Sequence, residues 1–248
     1  MLEVDLSKIK LKPDSTILEN IRFNISDNNV YTIIGKNGTG KTTLIKALTS
    51  LLNKNIYSVE GKVLFQNKDL LSLNKNELLL VRRNKIKYVF QDAINGFDPL
   101  KTFKFYFNKL LKDNEEIDQL LDYFILPNSK ELFKLYPYEV SGGMAQRINF
   151  ILALLTRPEI IILDEPTSGI DTAILYLFIE RLKAFTRVND NAVLLVTHDF
   201  TFAQKVSDKI AFISGNGLTD FASPDDLLNN NSNAALNVLL ESYKQLIS

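Results

Sequence analysis

Two stretches of this sequence carry residue types at spacings that suit phosphate chemistry. Gly35-Lys36-Asn37-Gly38-Thr39-Gly40-Lys41-Thr42 satisfies G-x-x-x-x-G-K-[ST]. Glycines at these positions let consecutive backbone N–H groups turn inward as an anion nest, and the helix that follows adds the partial positive charge of its N-terminus. Lys41 then reaches the terminal phosphates of a nucleotide, and the Thr42 hydroxyl is a ligand for Mg²⁺. The predicted cofactor-binding run is Gly35 to Thr43, with Thr43 the next residue of the helix. The second stretch, Ile160-Ile161-Ile162-Leu163-Asp164-Glu165, is an apolar run ending in two acids. At the carboxyl edge of a parallel sheet such acids face bound ligands. Asp164 is expected to hold Mg²⁺ through water, and Glu165 to polarise an attacking water as general base.

The elements that would position these residues follow from hydrophobic patterning. Leu2, Val4 and Leu6 alternate with polar residues, as do Ile21, Phe23 and Ile25, and each set reads as a half-buried strand. Val30 to Ile34 is apolar apart from Thr32 and reads as a buried strand delivering the glycine-rich loop, with a helix from Lys41 to Leu52 behind it. Lys62 to Phe65 and Ile86 to Phe90 are further predicted strands. From Thr102 to about Leu135 the pattern turns helical, with Leu110-Leu111 and Leu120-Leu121 as apolar pairs. After Pro158 strands and helices alternate again: Ile160 to Leu163, Val193 to Val196 and Ile210 to Ile213 as strands, Thr172 to Phe185 and Phe202 to Val206 as helices. This alternation predicts a mostly parallel sheet covered on both faces. Asn229 to Asn233 reads as a polar linker, and Leu236, Leu239, Leu240, Tyr243, Leu246 and Ile247 as one face of a terminal helix.

Composition removes competing chemistries. The 248 residues contain 29 Lys plus Arg against 29 Asp plus Glu, no Cys and one His. A net charge of zero offers no basic field for nucleic acid. Without Cys there is no disulfide framework, zinc finger or cysteine-held cluster. No segment approaches the roughly 18 consecutive apolar residues of a membrane span, and Met1 to Asp5 lacks a signal pattern, so a soluble, cytoplasmic chain is expected. Arg82-Arg83-Asn84-Lys85-Ile86-Lys87 is a basic run, read as a solvated strand edge or a contact with a partner or lipid headgroups.

Val140-Ser141-Gly142-Gly143-Met144-Ala145-Gln146-Arg147, just upstream of the acidic strand, resembles the signature motif of the ATP-binding-cassette (ABC) ATPases. Gln91 is similar to that family's Q-loop, Ser168-Gly169-Ile170-Asp171 to its D-loop, and the single His, His198, to its switch histidine. The resemblance implies a P-loop NTPase fold, α/β, with a mostly parallel core, an N-terminal antiparallel β subdomain and an inserted helical subdomain. It places the core with the β subdomain in residues 1–92 and 158–228, the helical subdomain in 93–157 and a C-terminal helix in 229–248. It implies ATP and Mg²⁺ as cofactors and head-to-tail pairing with a second cassette. Ser141, Gly142 and Gly143 of one cassette then meet the γ-phosphate held by the other's loop, Gln91 joins Thr42 and Asp164 around Mg²⁺, Asp171 belongs to the cofactor-binding set, and His198 acts beside Glu165 in catalysis.

Met144, the Gln91-Asp92 and Phe97-Asp98-Pro99-Leu100 stretches and Tyr136-Pro137-Tyr138-Glu139 look like the peptide and nickel import subfamily. That implies an ATPase subunit serving transmembrane permease subunits for peptides, nickel or metal chelates, and through them an extracytoplasmic substrate-binding protein. It sits on the inner face of the membrane, pairs with an identical or different ATPase and has no nucleic-acid partner. A soluble relative acting on nucleic acid or ribosomes, and an exporter subunit, stand as alternatives. Two features depart from the pattern. Val140 replaces the usual Leu, and Ile9 to Ile17 holds no Phe, Tyr or His where the family stacks the adenine, a contact worth about 1–3 kcal/mol.

Overall fold

The computed structural model describes residues 1–110, 112–167, 171–188 and 190–229. The chain forms two compact units, Met1–Leu73 with Leu194–Ser248, and Asn74–Val193. The first unit opens with β1 (Leu2–Leu11), β2 (Ser15–Ile25), β3 (Val30–Ile34), α1 (Lys41–Leu48), β4 (Tyr57–Phe65) and β5 (Lys68–Asp69). The second holds α2 (Lys75–Asn84), β6 (Ile86–Val89), α3 (Phe103–Asn108), α4 (Asn114–Tyr123), α5 (Ser129–Leu132), a 3₁₀ turn (Pro137–Glu139), α6 (Gly142–Leu155), β7 (Ile160–Asp164) and α7 (Thr172–Thr186). The chain re-enters the first unit within β8 (Ala192–Thr197), followed by α8 (Phe200–Val206), β9 (Lys209–Ser214), β10 (Gly217–Leu218) and α9 (Pro224–Asn229). The fold is α/β, with an antiparallel sheet and parallel strands as the patterning predicts.

In the first unit an antiparallel sheet runs β2-β1-β4-β5. Leu2, Val4, Leu6 and Ile9 of β1 are all buried. The step from Leu6 to Ile9 breaks strict alternation because the β1–β4 register shifts between Leu6 and Lys8, a bulge that moves the apolar side chains back to the core face. Gly61, opposite Leu6, takes φ +125°, and a Cβ there would meet the Asp5 carbonyl oxygen at 2.2 Å. This is why β1 and β4 are longer than the alternation alone suggests. The same unit contains a parallel pair, β3 and β9, in register from Tyr31–Lys209 to Ile34–Phe212. It is locked at its start by the Val30 amide donating to Asp208 at 2.8 Å and by a Thr32–Ser207 hydroxyl contact. Every residue of β3 is buried. Ile34, Phe200, Ala203, Ile210, Phe212 and Leu227 form one cluster that seats α8 and α9 on this pair.

In the second unit β6 and β7 pair in parallel, from Ile86–Ile160 to Val89–Leu163. Its described helices α3 to α6 follow one another without an intervening strand. Their core is aromatic: Phe124, Phe150 and Phe178 are buried with ring centroids 4.7–5.7 Å apart, which ties α6 to α7 and to the end of α4.

Two expectations need correction. The helix behind the glycine-rich loop ends at Leu48, not Leu52: the Thr49 hydroxyl bonds back to the Ile45 carbonyl and Ser50 takes φ +53°, which stops the helix. The basic run is a strand edge only at its end. Arg82, Arg83 and Asn84 form the last turn of α2, where the cations oppose the negative end of the helix dipole, and only Ile86 and Lys87 enter β6. The start of α2 is a capping box, Asn74 accepting from the Glu77 amide and Glu77 from the Asn74 amide. Leu111, Ser168 to Ile170, the linker beyond Asn229 and the terminal helix lie outside the described residues.

Candidate active site

In the first unit, β3 delivers the glycine-rich loop straight from the core. Gly35 is buried, and Lys36, Asn37 and Gly38 are exposed. A side chain at Gly35 would collide with Ile213 Cγ2 at 2.1 Å and Thr39 Oγ1 at 2.7 Å, so only glycine lets the loop leave the sheet here. Gly40 is the N-cap of α1 at φ +93°, a left-handed conformation, and supplies no side-chain cap to the helix's first amides. A helix start without a side-chain cap is one whose amides and dipole can serve an anion. The Lys41 ammonium is buried and donates to the Gly35 carbonyl at 2.8 Å and the Lys36 carbonyl at 3.1 Å, folding back over the loop. The Thr39 hydroxyl closes the turn on the Lys36 carbonyl at 2.9 Å. Thr42 and Thr43 sit half-buried in the first turn of α1.

The same unit brings His198 to this loop. The Gly35 amide donates to the Thr197 carbonyl at 3.2 Å, so the end of β8 is bonded to the first residue of the loop. His198 follows directly and is exposed. Asp199 then caps α8, accepting from the Phe202 amide at 2.9 Å, while the Thr197 hydroxyl accepts from the Asp199 amide at 3.0 Å. The histidine therefore sits between a buried strand and a capped helix, one residue beyond the backbone bond that joins β8 to the phosphate loop.

In the second unit, Asp164 and Glu165 close β7 and are both buried, 2% and 4% exposed. Glu165 takes φ +47° although it precedes Pro166, where the extended region is preferred. A left-handed, non-glycine residue at a strand end is strain of about 1–3 kcal/mol that the surroundings must hold in place. Part of what holds it is Gln146 of α6, buried, whose amide donates to the Glu165 carbonyl at 3.3 Å. Asp164 accepts from the Tyr88 hydroxyl at 2.7 Å. Burial, then the charge of Asp164, pushes the Tyr88 phenol far above its usual range, so it stays a donor. Gln91 is exposed, two residues beyond the end of β6, the strand beside β7.

Ser141 caps α6, its hydroxyl accepting from the Met144 amide at 3.3 Å, and Ser141 and Gly142 are exposed with open space where a Gly142 side chain would stand. Asp171 is exposed, and its carboxylate accepts from the Ile174 amide at 2.9 Å as the cap of α7. The turn between β1 and β2 offers no ring: Leu11 is exposed and Lys12 donates to the Lys54 carbonyl at 2.7 Å.

A family model described as ABC transporter matches residues 18–168. The chain belongs to that family. Among similar proteins, the dipeptide transport ATP-binding protein DppD of Caldanaerobacter subterraneus is 32% identical over 237 residues, covering 91% of this chain and 73% of the relative. The metal-staphylopine import system ATP-binding protein CntD of Staphylococcus aureus is 28% identical over 242 residues, 94% of this chain and 89% of the relative. The fold is also that of a dimeric ATP-binding cassette in a post-hydrolysis state bound to ADP and phosphate, at TM-score 0.77, 24% identity, and 90% and 99% coverage of the two chains. As an ABC ATPase the chain binds nucleotide and hydrolyses ATP. Gln146, Arg147 and Tyr88 are the residues around this site whose contacts the sequence does not announce.

Arg147 makes the contact with the most direct energetic consequence. Its guanidinium donates to the Gly143 carbonyl at 3.1 Å in the signature turn and to the Phe124 and Ile125 carbonyls at 2.8 and 3.2 Å, just past the end of α4. It joins the signature turn to the negative end of a neighbouring helix. Arg147→Ala is expected to lower the unfolding free energy by about 1.5–3 kcal/mol, the usual loss for hydrogen bonds to a charged group, in a urea titration. A midpoint equal to that of the wild type would contradict this linkage.

Proposed function

We propose that this ABC ATPase powers a membrane importer for peptides, nickel or metal chelates, on the inner face of the membrane. The observation that carries the reading is the combination of a lysine-bearing phosphate loop with a buried, strained Glu165 in a chain whose relatives are ATP-binding proteins of dipeptide and metal-chelate import. Gly35 to Thr43 hold the phosphates through backbone N–H groups and Lys41. Thr42, Gln91 and Asp164 are oxygen donors of the hard kind that Mg²⁺ prefers. No cluster of three or more His, Cys, Asp or Glu stands ready for a metal among the described residues, which fits an ion that arrives with the nucleotide phosphates rather than one held in a cage of its own. Bound there, magnesium supplies charge neutralisation at the phosphates. Glu165 takes a proton from the attacking water, and His198 holds the γ-phosphate side of the reaction in place.

Ser141 and Gly142 are exposed and Gly143 half-buried at a helix start, where they suit the γ-phosphate of a nucleotide held by a second cassette, identical or different, and Asp171, exposed at the start of α7, joins that set. None of the described helices is long and apolar enough to cross a membrane. The import role of the relatives supports work through separate permease subunits, and through them an extracytoplasmic binding protein. A cleft of about 950 Å³ in the second unit favours such docking: Arg83, Lys87, Lys109 and Lys112 line it with Tyr88 and Tyr106, and no carboxylate is among its lining residues. Burial and the nearby Arg83 charge both disfavour the Lys87 cation, and an acidic partner surface would be the electrostatic complement of this lining.

Glu165→Gln removes the base and keeps the shape. In the assembled complex it is expected to cut ATP turnover by about 10²–10⁴-fold and to leave ATP bound in a cassette dimer, seen by size-exclusion chromatography. Near-normal turnover would remove Glu165 from the base role. The transport reading is tested by gentle detergent extraction of cells and affinity purification of the chain. It is expected to bring integral membrane proteins with it; recovery only with ribosomes or nucleic acid would overturn the importer assignment.

A further inference from the structure

We propose that Tyr88 is a positioning residue for the carboxylate of Asp164, setting how tightly the metal–nucleotide pair is held. The inference rests on the reading of Asp164 as the carboxylate that holds Mg²⁺. It begins with the strand register. Tyr88 pairs with Ile162 in the parallel β6–β7 ladder, and side chains two apart share a face, so Tyr88 and Asp164 lie on the same face one step apart. The phenol is long enough to close that step, and its hydroxyl donates to Asp164 Oδ2 at 2.7 Å.

The contact is more than packing. A phenylalanine would fill the same volume, yet here a hydroxyl is carried into a largely buried place and spent on a buried carboxylate. A hydrogen bond to an ionised acceptor is about twice as strong as a neutral one and is directional. Fixing Oδ2 fixes the carboxylate plane, and with it the direction in which Oδ1 is presented. The ring itself is held: Phe90 leans on it at 4.3 Å between centroids and 55° between planes. Partners that orient a metal-binding carboxylate typically change metal affinity by about 10–100-fold when removed. Because Asp164 acts through water, the lower end of that range applies.

The test compares wild type, Tyr88→Phe, Asp164→Asn and the double variant. The probe is Mn²⁺, titrated calorimetrically into protein saturated with a non-hydrolysable ATP analogue, with analogue binding in EDTA and the unfolding midpoint measured alongside. Tyr88→Phe is expected to weaken Mn²⁺ binding about tenfold, leave analogue binding in EDTA unchanged, and add nothing further in the Asp164→Asn background. A merely structural Tyr88 would lower the unfolding midpoint and leave the Mn²⁺ titration where it was, and that result overturns the proposal. So does an additive loss in the double variant. Unchanged Mn²⁺ binding in Asp164→Asn alone would instead overturn the reading of Asp164 as the metal carboxylate.

Discussion

Strands buried on both faces can offer polar groups only at their ends, and this constraint organises the molecule. β3, β7 and β8 are buried along their whole length. Each emerges at its carboxyl end directly into a functional segment: the phosphate loop after Ile34, the acidic pair closing β7, and His198 after Thr197. The loops inherit the rigidity of the strands because the exit leaves little freedom. Gly35 cannot become any other residue without striking Ile213, and its amide is bonded to the end of β8. Glu165 is held in a left-handed conformation that an isolated chain would leave.

Helix capping does the complementary work at the other ends. Ser141, Asp171 and Asp199 each cap a helix that starts at a functional motif, and each does so through a side chain that also belongs to, or flanks, that motif. The phosphate loop is the exception, and the contrast is physical. α1 starts at Gly40, which brings no capping side chain, so its first turn lacks the side-chain cap that the other three helices have and suits a phosphate. Arg147 and Gln146 then connect the signature helix to α4 and to the Glu165 carbonyl, so that the signature turn and Glu165 share one support.

Much of this was legible in the sequence, for reasons that can be named. The apolar runs Val30 to Ile34 and Ile160 to Leu163 could only be buried strands, and residues at their ends could only be loops. The phosphate loop followed from glycine spacing, and the signature, Q-loop and histidine from their resemblance to ABC ATPases. The bulge in β1 leaves no mark in the alternation that ends at Leu6, because the return of burial at Ile9 depends on a partner strand. α2 was missed although Asn74 and Glu77 stand at capping-box spacing, because the charged turn at Arg82 and Arg83 masked its single well-buried residue, Leu78. The contacts of Tyr88 and Arg147 were out of reach for another reason. Both join positions far apart in the chain, 76 residues for Tyr88 and Asp164, through a strand register or a helix crossing that no local pattern encodes.

The central claim is that the strand ends hold a preformed phosphate site around Lys41. Its most direct measurement is a crystal structure of the chain with a non-hydrolysable ATP analogue and Mg²⁺. The account predicts the β- and γ-phosphates in the Gly35–Thr42 loop, with the Lys41 ammonium moved from the Gly35 and Lys36 carbonyls onto the phosphate oxygens and the backbone of β3 and β8 unchanged. A nucleotide bound with its phosphates away from this loop, or a loop that must refold to receive them, would contradict it.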